Sequence, residues 1–274
     1  MSVSKRFWLF PFVYLVILTV QARAASQTGI AAITNPSADV TLSFVQPGRI
    51  ERIHIKEGDA VKANQVLAQQ DDAIDQARLA QLEADSKNMT NIEAGKVSLA
   101  QKKVDLQKLE IAAARNAATE LEVEHAKLDV KIAELSLELA LFEHEQAVRK
   151  YEEAKLQIDN MILKSPIDGS VEKLDVETGE SVNALESVVR IVQIDPLWID
   201  VPVPLVNAST LARDGTAEVV FQGHRKTTVK GGIIFIAAVA DAGSGTIRVR
   251  IEVPNKARRP AGEHVTVVFS TMQE

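Results

Sequence analysis

Two short stretches of the chain repeat one pattern of apolar and polar residues. In each, apolar residues alternate with polar ones, as in a half-buried β-strand, and glycines stand at matching places. The stretches are residues 48–61 and 169–182. The repeat predicts one small β domain built from two halves, residues 40–71 and 162–195. The matching pairs are Gly48 and Gly169, Ile50 and Val171, Ile53 and Leu174, Ile55 and Val176, Gly58 and Gly179, and Val61 and Val182.

The segment between the two halves, residues 72–161, has the pattern of long helices. It contains no proline, and its only glycine is Gly95. A second helix is predicted to begin after Thr119, because Thr119 and Glu122 have the spacing of a capping box. Helices this long need a packing partner in water, so we expect an antiparallel coiled-coil hairpin. The residues predicted at its turn are Arg115, Asn116, Ala117, Ala118 and Thr119.

Apolar residues of the second helix form two rows with seven-residue spacing. The first row, which Ile132 and Leu139 complete, is expected to close the seam of the hairpin; its members are Leu121, Leu128, Leu135 and Phe142. The second row is displaced by two residues, about 200° around a helix; its members are Val123, Val130, Leu137, Tyr151 and Ile158. Since a simple hairpin needs one apolar face per helix, we expect the second row to pack against the hairpin of another copy. The alternative is that it lies on an exposed face.

The region after the second half, residues 196–270, has the pattern of a small antiparallel β-barrel. Six short apolar runs are separated by turn residues, among them Gly231-Gly232, and four residues follow as a tail, 271–274. Short strands at this spacing are typical of a barrel. The predicted strands are Leu197 to Val201, Ala217 to Phe221, Lys226 to Val229, Ile233 to Ala238, Ile247 to Val253 and Val265 to Phe269.

The first residues of the chain have the features of an export signal. Lys5 and Arg6 precede an uncharged apolar run, and Ala22-Arg23-Ala24 offers small residues where a signal peptidase cleaves. The run is shorter than the ~20 residues of a membrane span. We therefore expect residues 1–24 to be a cleaved signal peptide, with an uncleaved inner-membrane anchor as the alternative. Residues 25–39, small and polar, are expected to be a flexible lead-in.

The composition argues against catalysis, cofactors and nucleic acid. A net charge of −6 gives no basic patch for nucleic acid. The absence of cysteine excludes disulfides, thiolate metal sites and a cysteine nucleophile. The five histidines are scattered, with no pair at the spacing of a helical metal site. No catalytic, cofactor-binding or metal-ligating residues are predicted, and the chain is not expected to be an enzyme.

The combination of motifs resembles the periplasmic adaptor, or membrane fusion protein, family. Residues 48–67 resemble the first half of its biotinyl-lipoyl-like domain, and Ser165-Pro-Ile-Asp-Gly169 resembles the start of the second half. Leu197-Trp198 is similar to the entry of the family's β-barrel, and Val253-Pro-Asn255 to its close. The fold implied is a multidomain, elongated α+β chain: a split lipoyl-like β domain with an inserted coiled-coil hairpin, followed by a small antiparallel β-barrel.

The resemblance also implies a transport function. Family members bridge an inner-membrane transporter, here expected to be of the resistance-nodulation-division type, and an outer-membrane exit duct, and together form a tripartite efflux pump. The chain would then lie in the periplasm, associated with the inner membrane, as a homo-oligomer that forms a ring. Arg115 to Thr119 would contact the duct at the tip of the hairpin.

Two departures and three alternatives accompany this resemblance. The short lead-in and short tail predict that the membrane-proximal domain of many members is absent. The arginine and leucine that many drug-efflux members carry before a serine at the tip correspond to Lys108 and Ala112, if Thr119 takes the place of the serine.

The alternatives are an adaptor of an ABC-type exporter or secretion system, a periplasmic coiled-coil scaffold without a transporter, and an enzyme with an appended coiled coil.

Overall fold

The computed structural model describes residues 29–222 and 226–270, which divide into two compact units. The first unit contains residues 36–197 and 255–260, and the second contains the remaining described residues. The predicted signal peptide, residues 1–24, and the tail, residues 271–274, lie outside the described residues.

The first unit is a β module interrupted by helices. Its first half contains β2 (Gly48–Ile53), β3 (Ala60–Val61) and β4 (Val66–Gln70), and its second half contains β5 (Ile162–Lys164), β6 (Gly169–Leu174) and β7 (Ser181–Val182). Between the halves lie α1 (Ala73–Lys87), α2 (Thr90–Ala113) and α3 (Glu120–Asp159). Residues 40–71 and 162–195 are called the split β module below.

Three antiparallel pairings join the halves of the split β module. β2 pairs with β7, β3 with β6, and β4 with β5. Backbone bonds are exchanged reciprocally, because Gly58 donates to the carbonyl of Val171 and Gly179 to that of Ile50, each at 2.8 Å. Both glycines adopt positive φ, 88° and 91°, which a side chain would oppose. The predicted pairing of residues 40–71 with 162–195 is confirmed.

The repeated apolar residues of the two halves meet in one core. Three of the matching pairs are fully buried there; they are Ile50 and Val171, Ile55 and Val176, and Val61 and Val182. The two glycines that open the repeat allow close approach, since a Cβ on Gly169 would lie 2.6 Å from the carbonyl oxygen of Val192. The side chains of the repeated residues therefore form the core of the module, and their backbone groups join its two halves.

The second unit is the predicted small β-barrel. Its strands are β1 (Ile30–Ser43), β8 (Ser187–Pro204), β9 (Thr216–Phe221), β10 (Thr227–Ile236), β11 (Thr246–Val253) and β12 (His264–Phe269), and one helical turn, α4 (Leu205–Ala208), follows β8. β1 from residue 36 and β8 up to residue 197 belong to the first unit. The strands neighbour one another in the order β1, β12, β9, β10, β11 and β8, and β1 also pairs with β8. Inward-facing residues alternate along β9 and β11 and are buried. Two of the predicted strands are one strand, β10, and β1 is the sixth.

Two predictions about the strands are corrected. Residues 30–39 are not a flexible lead-in, because they lie in β1, which pairs with β12 from Ile30 to Ile33. Gly231-Gly232 is not a turn, because β10 passes through it and pairs with both neighbours; a bulge after Ile233 takes up the irregularity. The boundary expected at Pro196 lies within β8, whose residues up to 197 belong to the first unit and whose later residues belong to the second.

The burial of the repeat gives a test of the module. Ile55→Ala should lower the free energy of unfolding by about 2–4 kcal/mol, because it leaves a cavity where Ile55 is 5% exposed. Ile74→Ala is the matched control: Ile74 is 84% exposed, so its loss should change stability by less than about 0.5 kcal/mol. Denaturant unfolding of both variants measures the difference, and equal effects would contradict the shared core.

Candidate functional site: the helical hairpin

The hairpin turns at the residues predicted from sequence. α2 ends at Ala113 and α3 begins at Glu120, with Arg115, Asn116, Ala117 and Ala118 in the turn between them. Asn116 adopts the left-handed conformation, with φ of 54°, which asparagine tolerates better than most residues. The turn therefore presents short side chains and one arginine to solvent.

Thr119 caps α3 with the predicted capping box. Its hydroxyl accepts a bond from the backbone N–H of Glu122, and the Glu122 carboxylate accepts one from the backbone N–H of Thr119 at 2.7 Å. The bond from the backbone N–H of Thr119, and after it a bond that the Thr119 hydroxyl donates to the same carboxylate at 2.8 Å, hold the pKa of Glu122 below its usual value. The box satisfies two backbone donors at the helix start and so fixes where the tip ends.

The seam of the hairpin is formed by the row predicted to face another copy, which corrects the sequence analysis. Val130 and Ile158 are 9% and 6% exposed, and Val123, Leu137 and Tyr151 are half-buried within the single chain. The row expected to close the seam lies outside instead. Its exposed members are Leu121, Leu128, Ile132, Leu135, Leu139 and Phe142, each more than half exposed.

Small residues explain this exchange of faces. Ala126, Ala133, Ala140 and Ala154 are buried in α3 at heptad spacings. They let the two arms approach closely, since the interaxial distance of packed helices depends on the side chains at the contact. Gly95 of α2 meets α3 at the same seam, where its Cβ would lie 3.3 Å from the Cα of Leu137. The seven-residue spacing of the alanines was the sequence signal for the seam. It was missed because the larger apolar residues were given more weight.

Ion pairs flank the seam and fix its register. Lys102 of α2 donates to Asp129 of α3 at 2.8 Å, and Lys103 lies 3.5 Å from Glu134. The bond to Asp129 raises the pKa of Lys102. Such exposed pairs contribute little stability individually, so they specify the alignment of the arms more than they hold them together.

The first arm of the hairpin contains a break that the sequence analysis did not assign. α1 ends at Lys87 and α2 begins at Thr90, and Asn88 bridges them by accepting a bond from the backbone N–H of Thr90. The two helices of this arm both pack against α3. The break faces His144, which lines the same small cavity as Asn88. Asparagine in this place is the turn-forming signal that could have located the break.

The exposed rows lie on opposite edges of the hairpin. In α2, the exposed residues Val97, Val104 and Ile111 recur every seven positions, as the Leu121 row does in α3. The inward row of α2 is formed by Ile92, Leu99 and Leu106, which are buried or half-buried. Each exposed row is displaced by two residues from the inward row of its own helix, about 200° around it. Because the inward rows face each other, the outward rows must point away from each other. The hairpin therefore presents an apolar edge on each side.

A metal site does not accompany this surface within the part of the chain that the structure describes. Within residues 29–222 and 226–270, no cluster of three or more histidine, aspartate or glutamate side chains could hold a metal ion. Over the same residues, no helix is both long enough and apolar enough to cross a membrane.

The two faces of α3 can be distinguished by the same substitution. Val130→Glu should destabilise the hairpin by about 3 kcal/mol or more, because it buries a charge without a partner. Leu128→Glu, two positions away, should leave stability within about 0.5 kcal/mol, because Leu128 is 60% exposed. Denaturant unfolding followed by far-UV circular dichroism, at a concentration where the chain is monomeric, measures both. A larger loss of stability for Leu128→Glu than for Val130→Glu would show that the Leu121 row closes the seam, as predicted from sequence.

Comparison with known proteins agrees with this architecture. Residues 38–195 match a family model described as the RND MFP, barrel-sandwich hybrid domain, and residues 196–272 match the CusB-like, beta-barrel domain. The chain is 25% identical over 237 residues to the multidrug resistance protein MdtA of Escherichia coli K12, covering 84% of this chain. It spans 54% of that relative, about half of its length.

Solved structures show the same fold. MacA from Actinobacillus actinomycetemcomitans matches with a TM-score of 0.76 and 16% identity, over 88% of this chain and 77% of MacA. Spr0693, a membrane fusion protein from Streptococcus pneumoniae, matches with a TM-score of 0.62 and 15% identity, over 89% and 99% of the two chains. The first family model alone covers more than half of the residues. The chain belongs to the RND membrane fusion protein family.

Proposed function

We propose that this chain is the periplasmic adaptor of a tripartite efflux pump and not an enzyme. It would bridge an inner-membrane transporter of the resistance-nodulation-division type and an outer-membrane exit duct. Membership of the family supports this function, as does similarity to a multidrug resistance protein. The observation that carries the proposal is the hairpin with two apolar edges, because a protein that acts alone would gain nothing from exposing them.

The apolar edges suit side-by-side packing of hairpins. The edge formed by α3 lies on a helix rich in glutamate, whereas lysines outnumber acidic residues in α2. Like charges would oppose contact between two α3 edges, whereas α2, whose charges nearly balance, would repel α3 of another copy less. Such a contact uses two different surfaces, so repetition closes a ring when the rotation permits. A ring of hairpins would enclose a conduit between the two membranes.

The tip is the part of the hairpin assigned to the exit duct. Arg115 to Thr119 form the turn where the chain reverses, and the capping box holds its last residue in place. Short, exposed side chains allow close approach of another protein surface. The position in the periplasm, after cleavage of residues 1–24, is part of the same proposal and accords with an adaptor between two membranes.

The apolar edge of α3 provides the first test of the proposal. Leu128→Glu together with Leu135→Glu should leave the monomer folded but weaken both self-association and efflux, because the charges would enter the contact between hairpins. Ser136→Glu is the control for the effect of charge, since it adds one of the two negative charges at an exposed polar position beside the row. Chemical crosslinking in cells and a drug-accumulation assay measure the two effects. Normal assembly of the double variant would refute packing through this edge.

The tip provides the second test. Because the chain contains no cysteine, Asn116→Cys introduces a single reactive group at the turn. It should crosslink to an outer-membrane protein in cells through a short bifunctional reagent. Glu218→Cys on the outside of the barrel serves as the control, since Glu218 is exposed on β9. A crosslink to the outer-membrane protein from position 218 and none from position 116 would overturn the assignment of the tip.

A further inference from the structure

The inward row of α3 contains a histidine among apolar and aromatic residues. His144 lies seven residues after Leu137 and seven before Tyr151. Its side chain is half-buried, and its Nδ1 atom is buried without a hydrogen-bond partner in the part of the chain that the structure describes. A buried polar atom without a partner costs free energy that an apolar side chain would not. Packing of the seam therefore does not explain a histidine at this position.

His144 faces the break in the first arm of the hairpin. It lines a cavity of about 200 Å³ together with Asp85 of α1, Asn88 of the break and Asn91 of α2. The backbone N–H of Asn88 donates to the carbonyl of Asp85 at 3.2 Å, and the Asn88 side chain accepts from the backbone N–H of Thr90 at 3.0 Å. These local bonds interrupt the regular ladder of helical hydrogen bonds, so the angle between α1 and α2 is less constrained here than within either helix.

The cavity around His144 is lined by more negative than positive groups. Its titratable groups, besides the imidazole, are the carboxylates of Asp85 from α1 and Glu143 from α3, and the lining residues of α2 do not titrate. Both carboxylates also line the adjoining groove, where Lys150 of α3 lies beside them. An imidazolium at this place would therefore face two carboxylates and one ammonium group, and the attraction would exceed the repulsion.

Asp85 is the acceptor that a protonated His144 can reach across the break. The side-chain oxygen of Asn88 already accepts a bond from Thr90. Glu143 precedes His144 on the same helix, so a bond to it would not join two elements. A bond from the Nδ1–H group of His144 to the carboxylate of Asp85 would join α3 to the end of α1. Hydrogen bonds between two charged groups are stronger than neutral ones.

We propose that protonation of His144 closes the break in the first arm and makes the hairpin stiffer in acid than at neutral pH. The imidazolium takes its proton from solvent, donates through Nδ1 to Asp85 and ties α1 to α3. A neutral imidazole lacks the charge that attracts Asp85, and its Nδ1 stays without a partner, as in this structure. Histidine exchanges its proton between about pH 5 and 8, where most carboxylates are ionised. The inference goes beyond the proposed function and does not depend on the partners named there.

Hydrogen exchange of the full chain at pH 5.5 and pH 8 tests this hinge. After correction for the effect of pH on the intrinsic exchange rate, protection of the amides of residues 88–92 should rise about tenfold in acid, because one bond to a charged group then closes the break. Protection of residues 128–134, in α3 away from the break, should not change. No rise at residues 88–92, or an equal rise in both segments, would overturn the hinge.

Three variants assign the effect to named side chains. His144→Gln should abolish the rise in protection, whereas His125→Gln, at an exposed position of the same helix, should retain it. Asp85→Asn should also abolish the rise, and because Asp85 is exposed this variant keeps the test open if His144→Gln fails to fold. A rise that persists in His144→Gln, or one that is lost in His125→Gln, would refute the role of His144. A rise that persists in Asp85→Asn would refute the bond across the break.

Discussion

The antiparallel pairing of β4 with β5 is the contact on which the rest of the first unit depends. It places Gln69 opposite Ile162, and the backbone N–H of Gln70 donates to the carbonyl of Met161 at 2.9 Å. The two ends of the helical insert are thereby held in neighbouring strands. A hairpin anchored at both ends in one sheet has a fixed root, so its length can carry the tip away from the module without loss of register.

The size of the residues in the seam determines both the packing of the hairpin and the composition of its surface. Alanines and Gly95 bring the two arms close together, which leaves room in the seam for few large side chains, among them Leu137. The other leucines of α3 and the branched residues Val97, Val104 and Ile111 of α2 lie at the outer edges. Tight packing within one chain and apolar edges for contact between chains are consequences of one choice of residue size.

Much of this fold was predictable from sequence, because the spacing of apolar residues and the residues that form turns are local properties of the chain. The glycine repeat predicted the paired halves, and Thr119 with Glu122 predicted the helix start. The face of α3 that packs inward was predicted wrongly, because hydrophobicity was weighed without side-chain volume. Gly231-Gly232 was mistaken for a turn, since pairing on both sides of a strand is set by distant residues. The partners of the outer surfaces remain proposals, because an exposed row does not specify what covers it.

Cysteine labelling at two neighbouring positions tests the central claim that the outward row of α3 is buried only by assembly. The variants Leu135→Cys and Leu137→Cys would be treated with a maleimide, first as the dilute, monomeric chain and then in cells. The account predicts that position 135 reacts quickly in the monomer and is protected in cells, whereas position 137 is protected in both. Equal labelling of position 135 in the two states would contradict it.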